Sequence, residues 1–340
     1  MAARSVLVCT HGHCFDGLAS AALFTRLHRE LAGRPVEYRY RSCGYGPGMA
    51  QIPARWLKAD ENAILDFRFT ESPKLTWYFD HHKTAFGSAD EQERAVARAA
   101  GPDPRWFWEP TYGSCAKLVS DVARARFDLR LDERGELVTW ADRIDAARFA
   151  SAEEAMSTTP AALRLAAVTE HHGDGPFLES MVPRMLERSL DELAAMPDVA
   201  ERWAKIAHGR EAYAALVRER GRMHGDVVLV DLADRTLDAS AKFVTYGIFP
   251  RCTYAVAVVR SNNVIKVGIG YNPWSASPRR HDVAAICRRE GGGGHPVVGA
   301  VSLGLDELDR ARAIAARLVD ELGGPGDGST PGAAPTEAGA

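Results

Sequence analysis

The sequence has no C-x-x-C pair among its six cysteines, no excess of basic residues, and no apolar run near the ~18 residues that cross a bilayer. Cys9, Cys14, Cys43, Cys115, Cys252 and Cys287 are scattered, which excludes a zinc ribbon or a thioredoxin-like redox motif and favours free thiols in a reducing cytoplasm. The first residues, MAARSVLVCTHGHCFDG, lack the uninterrupted apolar stretch of a secretory signal. A net charge of −3 supplies no positive field for tracking duplex DNA by counterion release. A small anionic substrate fits better, and neither membrane nor duplex DNA is expected as a partner.

What is present is ordinary globular composition, 46% apolar and 26% charged over 340 residues, enough for two domains with their own cores. Short apolar runs alternate with helical stretches, the pattern of a parallel sheet with crossover helices. SVLVCT, VEYRYR (36–41), NAILDF (62–67) and LTWYFD (75–80) read as strands, and Asp16 to Leu31 as an amphipathic helix. From 113 to 220 the periodicity is helical almost throughout. Strands then return in DVVLVDL, TYAVAVVRS and NVIKVGIGY, the last two joined by a hairpin turn at SNN. A last helix spans Asp306 to Leu322, and the Gly- and Pro-rich tail is too poor in large apolar groups to fold.

In parallel sheets ligands collect beyond the carboxyl ends of strands. There the sequence places His11, His13, Cys14 and Asp16 after the first strand, Asp66 after the third, and Asp80-His81-His82 after the fourth. Each alone reads as turn or cap chemistry. Together they are the mixed carboxylate and imidazole set of a dinuclear transition-metal centre. Farther on, REGGGGHPVVGA (289–300) sits between apolar segments and reads as a tight loop whose bare amides close on an anion, with His295 as a donor. His171-His172 reads as an exposed loop. YGSCAK (112–117) reads as the start of a helix packed behind the site, and Lys83 and Thr84 as solvated residues within reach of a phosphate.

Asp80-His81-His82, the upstream Asp66, Asp-Gly-x-x-Ser-Ala at 16–21 and GGGGH-x-x-x-G together resemble the DHH phosphoesterase family with its DHHA1 substrate domain, over roughly residues 5 to 315. The resemblance implies an α/β fold: a parallel-sheet DHH domain over 1–150, a helical linker over 151–221, a smaller α/β DHHA1 domain over 222–322, and a disordered tail over 323–340. It implies two divalent metal ions, Mn2+ in the usual case, with Asp66 bridging them and Asp16 and His81 on the second. His82 would face the scissile phosphate and Asp80 would orient the pair. The family's late aspartate falls on Asp142 or Asp145, and Asp145 is preferred because Phe149 stands four residues on.

The implied activity is hydrolysis of phosphodiester or terminal phosphate bonds in a small nucleotide or short single-stranded oligonucleotide, by an activated water attacking phosphorus in line. Gly292, Gly293, Gly294, His295, Arg280 and Asn272 would hold the substrate; Arg260, Arg279 and Trp274 are further contacts to weigh against solvation and core packing. A homodimer is compatible with this reading. The departure is Cys14, which stands where the family pattern has the first aspartate of Asp-x-Asp. Cys14 with His11 or His13 then either substitutes as a softer ligand set, moving preference toward Zn2+ or Fe2+, or is an inert cysteine beside a weakened first site. His11, at the strand end, ranks above His13. The alternatives are a nucleotide-binding regulatory protein that has lost efficient catalysis, and an exopolyphosphatase-like hydrolase.

Overall fold

In a computed structural model, residues 4–44, 51–101, 105–132, 135–237 and 243–324 are described. They fold as two compact units, residues 1–149 with 157–206, and residues 150–156 with 207–340. The expected disordered tail lies outside the described residues from 325 on, and Gly323 still belongs to the last helix.

The first unit is built on a five-stranded sheet of β1 (Arg4–His11), β2 (Val36–Cys43), β3 (Glu61–Leu65), β4 (Trp77–Asp80) and β5 (Trp106–Trp108), in the order β2-β1-β3-β4-β5. Every pairing is parallel. Parallel strands need crossover connections, and α-helices supply two of them, one between β1 and β2 and one between β4 and β5. The helices are α1 (Phe15–Ala32), α2 (Ala89–Ala99), α3 (Cys115–Phe127), α4 (Glu136–Asp145), the short α5 (Ala152–Ala155) of the second unit, α6 (Ala161–His172), α7 (Gly175–Met185), α8 (Leu190–Ala194) and α9 (Pro197–Arg220).

Alternation along the strands divides the core between the two sheet faces. Val6, Val8, Ala63, Leu65, Trp77 and Phe79 pack under α1, α3, α6 and α7. Cys9, Cys43, Ile64, Tyr78 and Trp106 pack on the other face with Ala95 of α2. In this strand order the connections change direction between β1 and β3, the point at whose carboxyl ends ligands collect in such sheets. The chemistry-bearing residues lie at that end.

The opposite end carries a buried polar cluster. Glu61 accepts from Trp77 Nε1 at 2.9 Å and pairs with Arg4 at 3.0 Å and His28 at 3.4 Å. His28 above all, against the opposing effect of burial, lowers the Glu61 carboxyl to about 2 from an ordinary value near 4.5. A depressed acid stabilises the fold fully above its unfolded pKa and loses that contribution as pH falls through the folded one. Glu61 should therefore contribute about 3 kcal/mol at neutral pH that disappears between roughly pH 4.5 and pH 2. Urea unfolding at stepped pH checks this: Glu61→Gln should flatten the acid limb, and an unchanged limb refutes the assignment.

The second unit has a six-stranded mixed sheet in the order β10-β11-β9-β8-β7-β6, from β6 (Arg222–His224), β7 (Val227–Thr236), β8 (Tyr254–Arg260), β9 (Ile265–Tyr271), β10 (Gly293–His295) and β11 (Val298–Leu303). Its helices are α10 (Val244–Ile248), α11 (Val283–Arg289) and α12 (Leu308–Gly323). The SNN hairpin joins β8 to β9, with Ser261 N donating to Val264 O at 2.9 Å. α11 and α12 cover one face through Val283, Ile286, Ile314 and Leu318, while Tyr213 and Val217 of α9 cover the other. Among the described residues no helix is long and apolar enough to cross a membrane.

Candidate metal centre

The turn after β1 is clamped before it reaches α1. Gly12 N donates to Cys43 O at 2.7 Å, and His13 N donates to Gly173 O at 3.0 Å. A Cβ on Gly12 would stand 1.7 Å from Ser42 Oγ, so only glycine fits there. His13 takes a φ of 55° and its Nδ1 meets Glu170 O at 3.1 Å, away from the other candidates. His11 instead faces Asp66, Nδ1 to Oδ2 at 3.7 Å. Cys14 occupies the N-cap of α1 without capping it by its side chain, and the thiol stands 3.9 Å from Asp145 Oδ1.

Asp16 lies in the first turn of α1 and is buried. Its Oδ2 accepts from Cys115 N at 2.7 Å and its Oδ1 from Ala116 N at 2.9 Å, the free amides at the start of α3. Two helix N-termini thus converge on one carboxylate, each favouring negative charge. α3 does begin within YGSCAK, with Ser114 capping Lys117 N.

Asp66 follows β3 with a φ of 53°, held by its N–H to Phe79 O at 2.9 Å. Both its oxygens are buried without a hydrogen-bond partner, as is His81 Nε2. His81 is oriented by Nδ1 at 3.1 Å from Tyr112 O, an acceptor that holds a proton on Nδ1 and turns Nε2 inward, where a cation would displace the second proton. That nitrogen stands 3.4 Å from Asp66, 3.4 Å from Asp145 and 3.7 Å from Asp16. His82 Nδ1 bonds Asp80 Oδ1 at 2.8 Å, and Tyr78 donates to the other Asp80 oxygen at 3.1 Å. Asp80 therefore positions His82 alone rather than both histidines. His82 also comes within 3.7 Å of Asp66.

Three groups result, His11–Cys14–Asp66, Asp66–His81–His82 and Asp16–His81–Asp145, each with its donor atoms within 4.8 Å of one another. Asp142 takes no part; it pairs with Arg148. The carboxylates crowd one another, and the histidines among them are drawn toward the charged form. Burial, then the charges of Asp66 and Asp145, pushes Asp16 well up. Burial, then Asp66, raises Asp145 to about 6, and burial raises Asp80. Burial followed by the three surrounding carboxylates pushes the Cys14 thiol up. Against burial, Asp66 and the other carboxylates carry His81 up to about 10, and Asp80 raises His82. Asp66 goes the other way, because the imidazoles of His11 and His81 outweigh its burial and hold it far below the usual range. A divalent cation reverses this logic by favouring carboxylates and thiolate. The bare oxygens of Asp66 and the inward Nε2 of His81 are the donors such an ion takes, so the residues fit a metal.

In the second unit three expectations change. GGGGH does not form a loop: Gly293–His295 is an edge strand paired with β11, entered through Gly291 at a φ of 82° and exposing His295. Asn272 is buried, its amide donating to Cys252 O at 2.8 Å and its oxygen accepting from Trp274 N at 3.1 Å. Arg280 pairs with Asp226 at 2.8 Å and donates to Leu322 O at 3.0 Å. Both side chains hold the frame of the unit instead of offering open contacts. Trp274 packs against Phe243 at 5.2 Å between ring centres. In the first unit, His171 and His172 form the last turn of α6, not a loop. The positioning contacts from Tyr78, Tyr112 and the α3 amides were not visible in the sequence; the only signal was the Ser114 cap within YGSCAK.

No family model and no curated protein matches the sequence. Solved structures do match its fold. The pGpG-specific phosphodiesterase PggH from Vibrio cholerae superposes with a TM-score of 0.69 and 18% identity, over 94% of this chain and 100% of that one. The DHH domain of a member of a ribosomal-protein family gives a TM-score of 0.56 and 13% identity, over 94% and 88%. The exonuclease RecJ bound to manganese gives 0.54 and 12%, over 93% and 90%. The fold of this chain is that of DHH-domain proteins, with an all-parallel sheet followed by a mixed one.

Proposed function

We propose that the chain is a metal-dependent phosphoesterase that hydrolyses phosphodiester or terminal phosphate bonds of small nucleotides or short single-stranded oligonucleotides. The observation that carries this reading is the set of buried donors without partners, Asp66 Oδ1 and Oδ2 and His81 Nε2, at the junction of three ligand groups. Two divalent ions fit these groups: His11, Cys14 and Asp66 would hold the first, and Asp16, His81, Asp145 and Asp66 the second. When bound, such ions neutralise phosphoryl oxygens and bring a water to reactivity near neutral pH. The protein's own part is orientation. Asp80 holds the Nδ1 of His82, so its Nε2 is left to face a phosphoryl oxygen. Gly293, Gly294 and His295, entered from Gly292, would offer an exposed sheet edge suited to an anion, while Asn272 and Arg280 hold the frame of the same unit. The likeness in fold to a pGpG phosphodiesterase supports the small-nucleotide reading.

Cys14 makes the first site softer than an all-oxygen and imidazole one, which favours Zn2+ or Fe2+ over Mn2+ there. The test is metal content and hydrolysis by wild type and Cys14→Asp, with Mn2+ or Zn2+, on a linear dinucleotide, a cyclic dinucleotide, 3'-phosphoadenosine 5'-phosphate and pyrophosphate. The wild type should bind two metals and cleave a nucleotide, and Cys14→Asp should shift the preference toward Mn2+. A wild type that binds one metal or none and cleaves nothing, with both regained in Cys14→Asp, makes the chain a binding protein and refutes the proposal.

A further inference from the structure

We propose that β5 is a dimerisation edge: two copies of the chain pair antiparallel through Arg105 to Glu109 about a two-fold axis at Phe107, joining their parallel sheets into one. The two edges of this sheet are treated differently. At β2 the edge is blunted by α7, whose Glu179 carboxylate accepts from Tyr40 N at 2.8 Å. At β5, among the described residues, no side chain is bonded to the backbone of Trp106 or Trp108. An uncapped edge strand is a template for another strand.

The hydrogen-bond phase of β5 fixes the register. Arg105 O accepts from Tyr78 N at 2.9 Å and Glu109 N donates to Asp80 O at 3.1 Å, so residues 105, 107 and 109 turn their backbone groups toward β4. Residues 106 and 108 turn theirs outward. Antiparallel pairing centred on Phe107 sets Trp106 opposite Trp108 of the second copy, and these are the residues whose outward groups can exchange both bonds. The same register sets Arg105 opposite Glu109 of the second copy at both ends. The segment Arg-Trp-Phe-Trp-Glu is thus self-complementary in charge when reversed, which a strand from an unrelated partner would not need.

The surroundings fit a strand. A cavity of about 640 Å3 runs beside the edge, lined by Phe86, Val96 and Ala99 on one side and by Val122 with Asp121 and Arg124 of α3 on the other. Val96 is 48% exposed there, on a helix whose other large side chains are charged or polar. Arg105 keeps its contact to Glu61, at 3.5 Å, and Glu109 its bond from Thr111 Oγ1, at 2.9 Å, so the strand ends are held in place before pairing.

Sedimentation equilibrium of the full chain from low to high micromolar concentration tests this, and reads association whether or not the chain hydrolyses a nucleotide. The wild type should be a dimer. Glu109→Arg, which brings like charges together, should weaken it about tenfold or more. Combining Glu109→Arg with Arg105→Glu should restore it. Val96→Lys, at an exposed position outside the metal centre, should weaken it independently should the double variant not fold. A monomeric wild type, or a dimer that survives both Glu109→Arg and Val96→Lys, overturns the proposal; the first result would leave the groove to a different strand-bearing partner.

Discussion

Asp66→Asn is expected to reduce turnover by roughly a thousandfold or more and to remove bound metal, because it deletes the one carboxylate common to two of the ligand groups. The substitution is a clean one. Asparagine tolerates the left-handed backbone that Asp66 adopts at a φ of 53°, so the turn after β3 should persist. Its amide presents only one oxygen and no charge to His11, His81 and His82. Metal analysis beside initial rates checks both halves, and turnover within tenfold of wild type would mean that Asp66 is not a shared ligand.

Asp16→Ala is expected to lower the unfolding free energy of the metal-free protein by about 2–4 kcal/mol, the largest stability effect anticipated. Two buried amides at the start of α3 lose short bonds of 2.7 and 2.9 Å. Each such loss costs about 1–3 kcal/mol, while burial and repulsion from Asp66 and Asp145, which push the Asp16 carboxyl well up, work in the opposite direction. Urea unfolding without metal separates this from ligand loss. A change below about 1 kcal/mol would show that repulsion wins and that Asp16 is held for the ion alone. Asp16→Asn keeps one acceptor and should fall between.

The sequence made the sheet legible wherever strands were long and buried on both faces, as in SVLVCT and NAILDF. β5 escaped because three residues carry no period. GGGGH was misjudged because glycine suggests a turn, whereas here a Cβ on Gly292 or Gly294 would strike the neighbouring strand at 2.2 or 2.3 Å, so glycine permits close pairing. His171-His172 lacked a breaker before Gly173, and the helix ran on through them. At the site, the carboxylates and imidazoles that the fold brings together were readable from spacing. The ranking of His11 over His13 and of Asp145 over Asp142 is a matter of direction, decided by a clamped turn and by Arg148. The Tyr112 carbonyl that accepts from His81 and the α3 amides that donate to Asp16 belong to the backbone, and no side-chain pattern encodes them.

The ligand set also has a length in chain terms. Cys14 and Asp145 stand 131 positions apart, yet their side chains come within 3.9 Å. An ion held by Asp16 and Asp145, almost as far apart in the chain, would act as a staple across most of the first unit, because closing so long a loop in the unfolded chain is entropically costly. Binding energy at such a centre would therefore double as folding energy. The site is complete only after α4 has been synthesised and docked, so an N-terminal fragment ending before residue 145 would carry most of the ligands and still lack the closure that holds them together.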